Sequence, residues 1–363
     1  MAEQTIIISV TNDLTTDQRV ARICDTYVEM GFQVLLVGRK LGSSQPVKRN
    51  YRTRRFRLWF NKGPLFYANY NIRLFFFLLF TKSGLLWSND LDTLPANYLA
   101  SSWKKTKLIY DSHEYFTEVP ELIDRPRVKR FWKRIERRIL PRLQHIITVS
   151  PSIAEQYQSE YGITVQVVRN LPELSRKKVA VPDLHQDNRK IIIYQGAINV
   201  NRGIEFMVKA MHYVDNCVLY LAGKGDLSAQ IEALIEQEKL QNNVIMLGEI
   251  PQEELHGYTI QAHLGLSLEE DRGLNYRFAL PNKLFNYIHA GVPVLVSDLP
   301  EMKGLVAQYA VGDWISTHEP EQIAQKIESM LRDEQYQLWK SNCLKAKEEL
   351  CWEKEKEVIR HLI

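Results

Sequence analysis

The strongest constraint on the fold is a set of short apolar runs that do not alternate. "TIIISV" (5–10), "QVLLVG" (33–38), "KLIY" (107–110), "KIIIYQ" (190–195), "CVLYLA" (217–222) and "PVLVS" (293–297) carry apolar residues at successive positions. A strand with one face in water alternates with period two, so these strands are covered on both faces. The covering material lies between them, as amphipathic helical segments at about 16–31, 66–81, 93–103, 126–142 and 151–160, with the same rhythm in the back half. Further strands are expected near 84–88, 144–149, 164–168, 244–247 and 263–267. Strands separated by helices imply parallel crossovers, so each half is expected to be a doubly wound sheet. The class is α/β: two Rossmann-like parallel-sheet domains facing a central cleft, with ligands at the carboxyl ends of the strands.

The stretch "LPELSRKKVAVPDLHQDNRK" (171–190) holds prolines and charges without helical period, and is the expected linker. The domains are expected at 1–172 and 188–340, with terminal helices over 341–363. The last of these has Leu350, Trp352, Val358 and Ile359 as its packing stripe. Cys24, Cys217, Cys343 and Cys351 form no C-x-x-C pair, which fits a reducing cytosol. "MAEQ" supplies no basic n-region, so no secretory signal is expected.

The net charge of +4 conceals an asymmetry. Residues 1–150 hold 25 Lys and Arg against 13 Asp and Glu, or +12, while the remainder hold 22 against 30, or −8. The basic residues concentrate in 47–62 and 125–142, interleaved with aromatic and aliphatic side chains. Nucleic acid, an anionic membrane surface and a merely solvated helix face all answer to that pattern. The most apolar run, "IRLFFFLLFTKSGLLW" (72–87), is interrupted by Arg73 and Lys82 and is too short to span a bilayer. A buried helix is the default expectation for it, and shallow interfacial insertion the alternative.

The loops that follow strands carry the candidate chemistry. "TNDLTTDQRVA" (11–21) lacks the glycine-rich turn of a dinucleotide site; Thr15 or Thr16 is expected to cap its helix, with Asp17 in the first turn. "YDSHEYF" places Asp111, His113 and Glu114 on one loop, where His113 is either catalytic or a plain polar loop residue. "YQGAINVNRG" sets Gly196 at a strand end and Arg202–Gly203 at a helix start, suited to a phosphate. "LAGKGD" repeats the design with Gly223, Lys224 and Asp226. In "RFALPNKLFNYIHAGVPVLVSD" (277–298), Pro281 opens a helix and Gly291 closes it. Leu284, Phe285 and Ile288 form its buried stripe, whereas Asn282, Asn286 and His289 or Ala290 fall on another face. Arg277 and Lys283 add positive charge near its start.

In this order and spacing, "TNDLTTDQRVAR", "SNDLDTLPA", "YDSHEYFTE", "YQGAINVNRGIE", "LAGKGD", "LGEIPQEEL" and "LPNKLFNYIHAGVPVLVSD" resemble the GT-B glycosyltransferases of family four, almost end to end. That group includes many bacterial cell-surface polysaccharide enzymes. The resemblance implies retaining transfer of a hexosyl unit from a nucleotide diphosphate sugar to a saccharide or lipid-linked acceptor. It implies no bound metal, no cofactor beyond the co-substrate and no nucleic-acid partner. The expected location is cytoplasmic, at the inner face of the membrane. By the same resemblance His113 is the catalytic candidate, and Gly196, Arg202, Gly223, Leu280, Asn282, Lys283 and Asn286 hold the donor. Asn12, Asp13, Asp92 and Glu114 lie on the acceptor side, and the helix around Trp352 returns to the front domain. The chain departs from the family pattern at Ala197, where a cation is usual, and at Arg202, where lysine is usual. Two usual glutamates map to Phe278 and Asn286; Glu269, Glu270 or Asp271 might substitute for the first. A nucleotide-sugar epimerase using Asp111 and Glu114, and a catalytically silent assembly partner, are the alternatives.

Overall fold

A computed structural model describes residues 5–15, 17–174, 179–185 and 187–363. The chain divides into two compact units, Met1–Asn170 with Lys356–Ile363, and Leu171–Glu355. The front unit holds β1 (Thr5–Ser9), β2 (Gln33–Lys40), β3 (Arg52–Arg57), β4 (Leu85–Asn89), β5 (Lys107–Ser112), β6 (His145–Thr148) and β7 (Gln166–Val167). Its seven-stranded sheet runs β3-β2-β1-β4-β5-β6-β7. The back unit holds β8 (Lys190–Gln195), β9 (Cys217–Ala222), β10 (Val244–Gly248), β11 (Leu264–Ser267), β12 (Val294–Ser297) and β13 (Gly312–Ile315). These six strands run β10-β9-β8-β11-β12-β13. All pairings are parallel, for example Ile7 beside Leu35 and Leu86, and Ile193 beside Tyr220 and Gly265. Strand order reverses between β1 and β4 and between β8 and β11, the places where doubly wound sheets open a crevice.

The absence of alternation has its explanation in the core. Successive residues of β8 enter separate apolar clusters: Ile192 and Tyr194 join Leu219, Leu266 and Leu295, whereas Ile191 and Ile193 join Val218, Val294 and Val296. Each such side chain contributes about 1.5–3 kcal/mol when fully buried. Two strands, β3 and β13, were not expected from the sequence, and both lie at the outer edge of their sheet. In "RTRRFR" only Phe56 is buried, because an edge strand with charged side chains needs little apolar cover.

Asp17, rather than Thr15, caps the helix Gln18–Glu29, its carboxylate accepting from the Val20 amide at 3.0 Å. Thr15 instead donates to Asp13 at 2.6 Å, and Thr16 lies outside the described residues. The helix Gly63–Phe80 corrects the buried-helix expectation, since only its Phe66, Tyr70, Leu74 and Leu78 row is buried. On the opposite side Leu65, Ile72, Phe76 and Phe80 are 57, 58, 52 and 82% exposed. This helix is joined to Asp90–Lys104 by Asn71. The Asn71 amide nitrogen donates to the Asp92 carbonyl at 2.7 Å and its oxygen accepts from the Ala96 amide at 3.1 Å. Those are the two backbone groups, four residues apart, that flank Pro95. At the chain's end Leu350, Trp352 and Ile359 are buried, and Lys356 pairs with Glu29 at 2.7 Å inside the front unit. No helix among the described residues is long and apolar enough to cross a membrane.

Candidate functional site

In the front unit the loops after β1, β4 and β5 converge on His113. Strand β5 ends in Asp111, fully buried and gripped by Arg19 through Nε (3.1 Å) and Nη2 (2.7 Å). The remaining Arg19 amine donates to the Val168 carbonyl at 2.6 Å, so the fork is fixed in orientation. Burial opposes ionisation of Asp111, but Arg19 and His113 outweigh it and hold the carboxyl at about 2. The His113 Nε2 lies 3.0 Å from Asn89 Oδ1 and 3.3 Å from Asp111 Oδ2, and its Nδ1 lies 3.5 Å from Asp90. Burial disfavours the imidazolium, yet Asp90 and Asp111 raise its pKa to about 9. His113 is therefore a charged donor near neutrality, with both ring nitrogens protonated. Asp90 has φ 55°, and its carboxylate accepts from the His113 amide at 2.9 Å, so the turn after β4 is fitted to the loop after β5.

The expected acceptor-side residues are placed as follows. Asp92 accepts from Thr11 at 2.6 Å, and burial pushes its carboxyl up to about 6. Asn12 caps the Leu14 amide and donates to Asp17, each at 2.9 Å. Asp13 accepts from the Thr15 amide and hydroxyl. Asn12 and Asp13 thus build the loop's own turns. Glu114 is half-buried beside His113, and its carbonyl accepts from Ser112.

In the back unit the loops after β8 and β11 meet the helix Asn282–His289. Glu269, fully buried two residues after β11, accepts from Lys283 Nζ at 2.8 Å and from Ser267 at 2.7 Å. Arg202 Nη1 stands 3.4 Å from the same carboxylate. Burial acts against the charge, but Lys283 and Arg202 keep Glu269 below the ordinary carboxylate range. The Lys283 ammonium lies 4.1 Å from the centre of the Tyr194 ring, and Arg202 lies 5.4 Å from that of Tyr276. One polar atom is left over: Arg202 Nε is buried and has no hydrogen-bond partner. The floor is bare backbone. A Cβ on Gly223 would sit 1.9 Å from the Gly196 carbonyl oxygen, and one on Gly196 would sit 3.5 Å from Lys283 Cε. One on Gly203 would sit 2.0 Å from the Leu268 carbonyl. Only glycine fits at Gly203 and Gly223.

The structure thus brings together Gly196, Arg202, Gly223 and Lys283 from the expected set. Asn282 is exposed and Asn286 half-buried, apart from the fully covered Leu284, Phe285 and Ile288. Leu280 packs against the core. His289, expected on the Asn286 face, is instead buried and bonded to the Leu350 carbonyl at 2.6 Å. Arg277 is exposed and paired with Asp271, and Glu270 with Arg272, which leaves Glu269 alone of the three acids at the cations. Sequence reasoning did not anticipate Arg19, Asn89, Asp90 or Tyr194. A usable signal for Asp90 was its place directly after an expected strand.

Residues 17–176 match the family model described as Glycosyltransferase Family 4, and residues 175–345 that described as Glycosyl transferases group 1. An uncharacterized glycosyltransferase of Methanocaldococcus jannaschii is 27% identical over 153 residues, 41% of this chain. The match spans 37% of that relative's length. Sucrose-phosphate synthase from Thermosynechococcus elongatus has a similar structure, with TM-score 0.81 at 18% identity, over 99% of this chain and 98% of that one. Anabaena HepE in complex with UDP-glucose gives 0.76 at 14%, over 99% and 98%. WaaG, a glycosyltransferase involved in lipopolysaccharide biosynthesis, gives 0.67 at 14%, over 94% and 95%. At these identities the structural likeness is one of fold.

Proposed function

The chain belongs to the glycosyltransferases, to family 4 through its front unit and to group 1 through its back unit, and from that premise we propose that it transfers a hexosyl unit from a nucleoside diphosphate sugar to a saccharide or lipid-linked acceptor. The observation that carries this reading is the back-unit cluster: two cations on one buried carboxylate, over a glycine floor, with a buried guanidinium N–H left unpartnered. A diphosphate supplies what the cluster lacks, namely acceptor oxygens for Arg202 Nε and countercharge for Lys283 and Arg202. The glycines let phosphate oxygens approach the backbone. Asn286, with one acceptor and two donors, suits ribose hydroxyls. His113 is proposed to touch the transferred sugar as a cationic donor; with a pKa of about 9 it is a poor base at neutral pH.

Retention of configuration and a setting in cytoplasmic synthesis of cell-envelope polysaccharide or glycolipid are parts of the proposal. An epimerase is less well supported: Asp111 is locked as an anion by Arg19, which unfits it for proton exchange near neutrality. The test is incubation with a panel of nucleotide sugars, UDP-glucose first because HepE binds it, with candidate acceptors present. Acceptor-dependent nucleotide release with a glycosylated product is expected. Formation of an epimer, or no binding of any nucleotide by calorimetry, would reject the proposal.

A further inference from the structure

The outer edge of the front unit carries a feature that sugar transfer does not use. Strand β3 turns Arg54 and Arg57 to solvent, and these join Lys40, Arg55, Phe56 and Arg73 around an open recess of about 420 Å³. None of the five cations has a carboxylate within 4 Å among the described residues. Arg55 bonds to the Gln45 and Asp13 carbonyls, and Arg73 lies 4.7 Å over the Trp59 ring. Close by is the uncovered side of the helix Gly63–Phe80. Leu65, Ile72, Phe76 and Phe80 follow one stripe of it, opposite the buried Leu74, and Trp59 is 78% exposed. Scattered apolar side chains are ordinary on a surface; a continuous row beside unpaired guanidiniums is not.

We infer that this edge docks on an anionic lipid bilayer, with the arginine-lined recess receiving phosphate headgroups and the helix row lying in the acyl boundary. Cations answer the phosphates, an apolar stripe answers the hydrocarbon edge, and the Trp59–Arg73 pair suits the depth between them. An RNA would match the charge but would gain nothing from the aliphatic Leu65 and Ile72. A symmetric dimer through this face would set one cation cluster against its copy. The inference goes beyond the proposed transfer and does not depend on it.

Co-sedimentation with phosphatidylcholine vesicles, with and without phosphatidylglycerol, tests it. Binding is expected only with phosphatidylglycerol, and is expected to weaken with salt. Each basic residue at an anionic leaflet is worth about fivefold, so Arg54→Glu with Arg57→Glu is expected to reduce partitioning by at least about 25-fold. Phe76→Ser with Phe80→Ser is expected to weaken binding as well, and brominated lipid to quench the native protein more than a Trp59→Phe variant. Equal binding to neutral vesicles, or an unaffected Arg54/Arg57 variant, overturns the inference. So does dimerisation through this face, or tighter binding to RNA than to vesicles. A recess that takes inorganic pyrophosphate while the Phe76/Phe80 variant keeps full vesicle binding would mark a free-anion site, and also overturns it. Both variants are expected to keep native nucleotide affinity, which separates failure here from failure of the transferase proposal.

Discussion

Glu269→Gln isolates the central electrostatic contact of the back unit. The substitution keeps the shape but leaves the Lys283 ammonium, 7% exposed, without its partner at 2.8 Å. Removing one member of a buried pair costs about 3–5 kcal/mol. Arg202 adds little to that loss, because it is 30% exposed and sits 3.4 Å away. A ceiling exists: Lys283 could lose its proton, which from an ordinary pKa near 10.4 takes about 4.6 kcal/mol at pH 7. The Tyr194 face at 4.1 Å returns part of the loss, since a desolvated cation–π contact is worth up to about 2 kcal/mol. The net expectation is about 3 kcal/mol. For a unit spanning Leu171–Glu355 this corresponds to a fall in Tm of roughly 6–12 °C. Calorimetric scans with and without a nucleoside diphosphate provide the assay. If the diphosphate supplies the missing negative charge, the nucleotide must stabilise the variant more than the native protein and narrow the gap. A variant that melts within about 1 °C of native, or a gap unchanged by nucleotide, would refute the argument.

Three further outcomes are expected. Arg202→Ala weakens nucleoside diphosphate binding by roughly 2–3 kcal/mol by calorimetry, the scale of a charge-assisted contact; unchanged affinity removes it from the site. His113 has a raised folded pKa, so its contribution to stability is complete below the unfolded value of about 6.5 and is lost as pH rises through about 9. Denaturant titrations across that interval should show the native protein losing stability relative to His113→Gln; parallel curves would deny the cation. Asn286→Leu weakens nucleotide binding by about 1–2 kcal/mol with little change in Tm, whereas a variant that unfolds would make Asn286 a core residue.

The fold was legible where both faces of a strand are covered. Ile6, Ile7 and Ile8, like Ile191, Ile192 and Ile193, declare a central parallel strand because no position faces water. β3 and β13 escaped because edges carry no such signature, and "RTRRFR" reads as charge before it reads as strand. The helix Gly63–Phe80 is apolar on all sides, so periodicity could not say which row would be covered. In the candidate site, Gly196, Arg202, Gly223 and Lys283 were legible from their places after strands and at helix starts. Glu269 was not distinguishable from Glu270 and Asp271: the three are adjacent in sequence, and only the turn after β11 decides which is drawn inward. The pairing of Asp90 with His113 joins residues whose strands are neighbours, and spacing along the chain does not encode its geometry.

Asn71 gives the front unit a mechanical property. The helix Gly63–Phe80 bears the outer apolar row, and through Asn71 it holds the first turn of the helix whose opening residues are Asp90 and Asp92. Each residue advances a helix by about 100°, so a rotation of even half that angle swings Asn71 off both the Asp92 carbonyl and the Ala96 amide. The helix therefore cannot roll to hide its exposed side chains without prying open the turn that carries those two carboxylates. Torque on the outer row and strain at the acidic turn become one quantity, with a single asparagine as the axle pin.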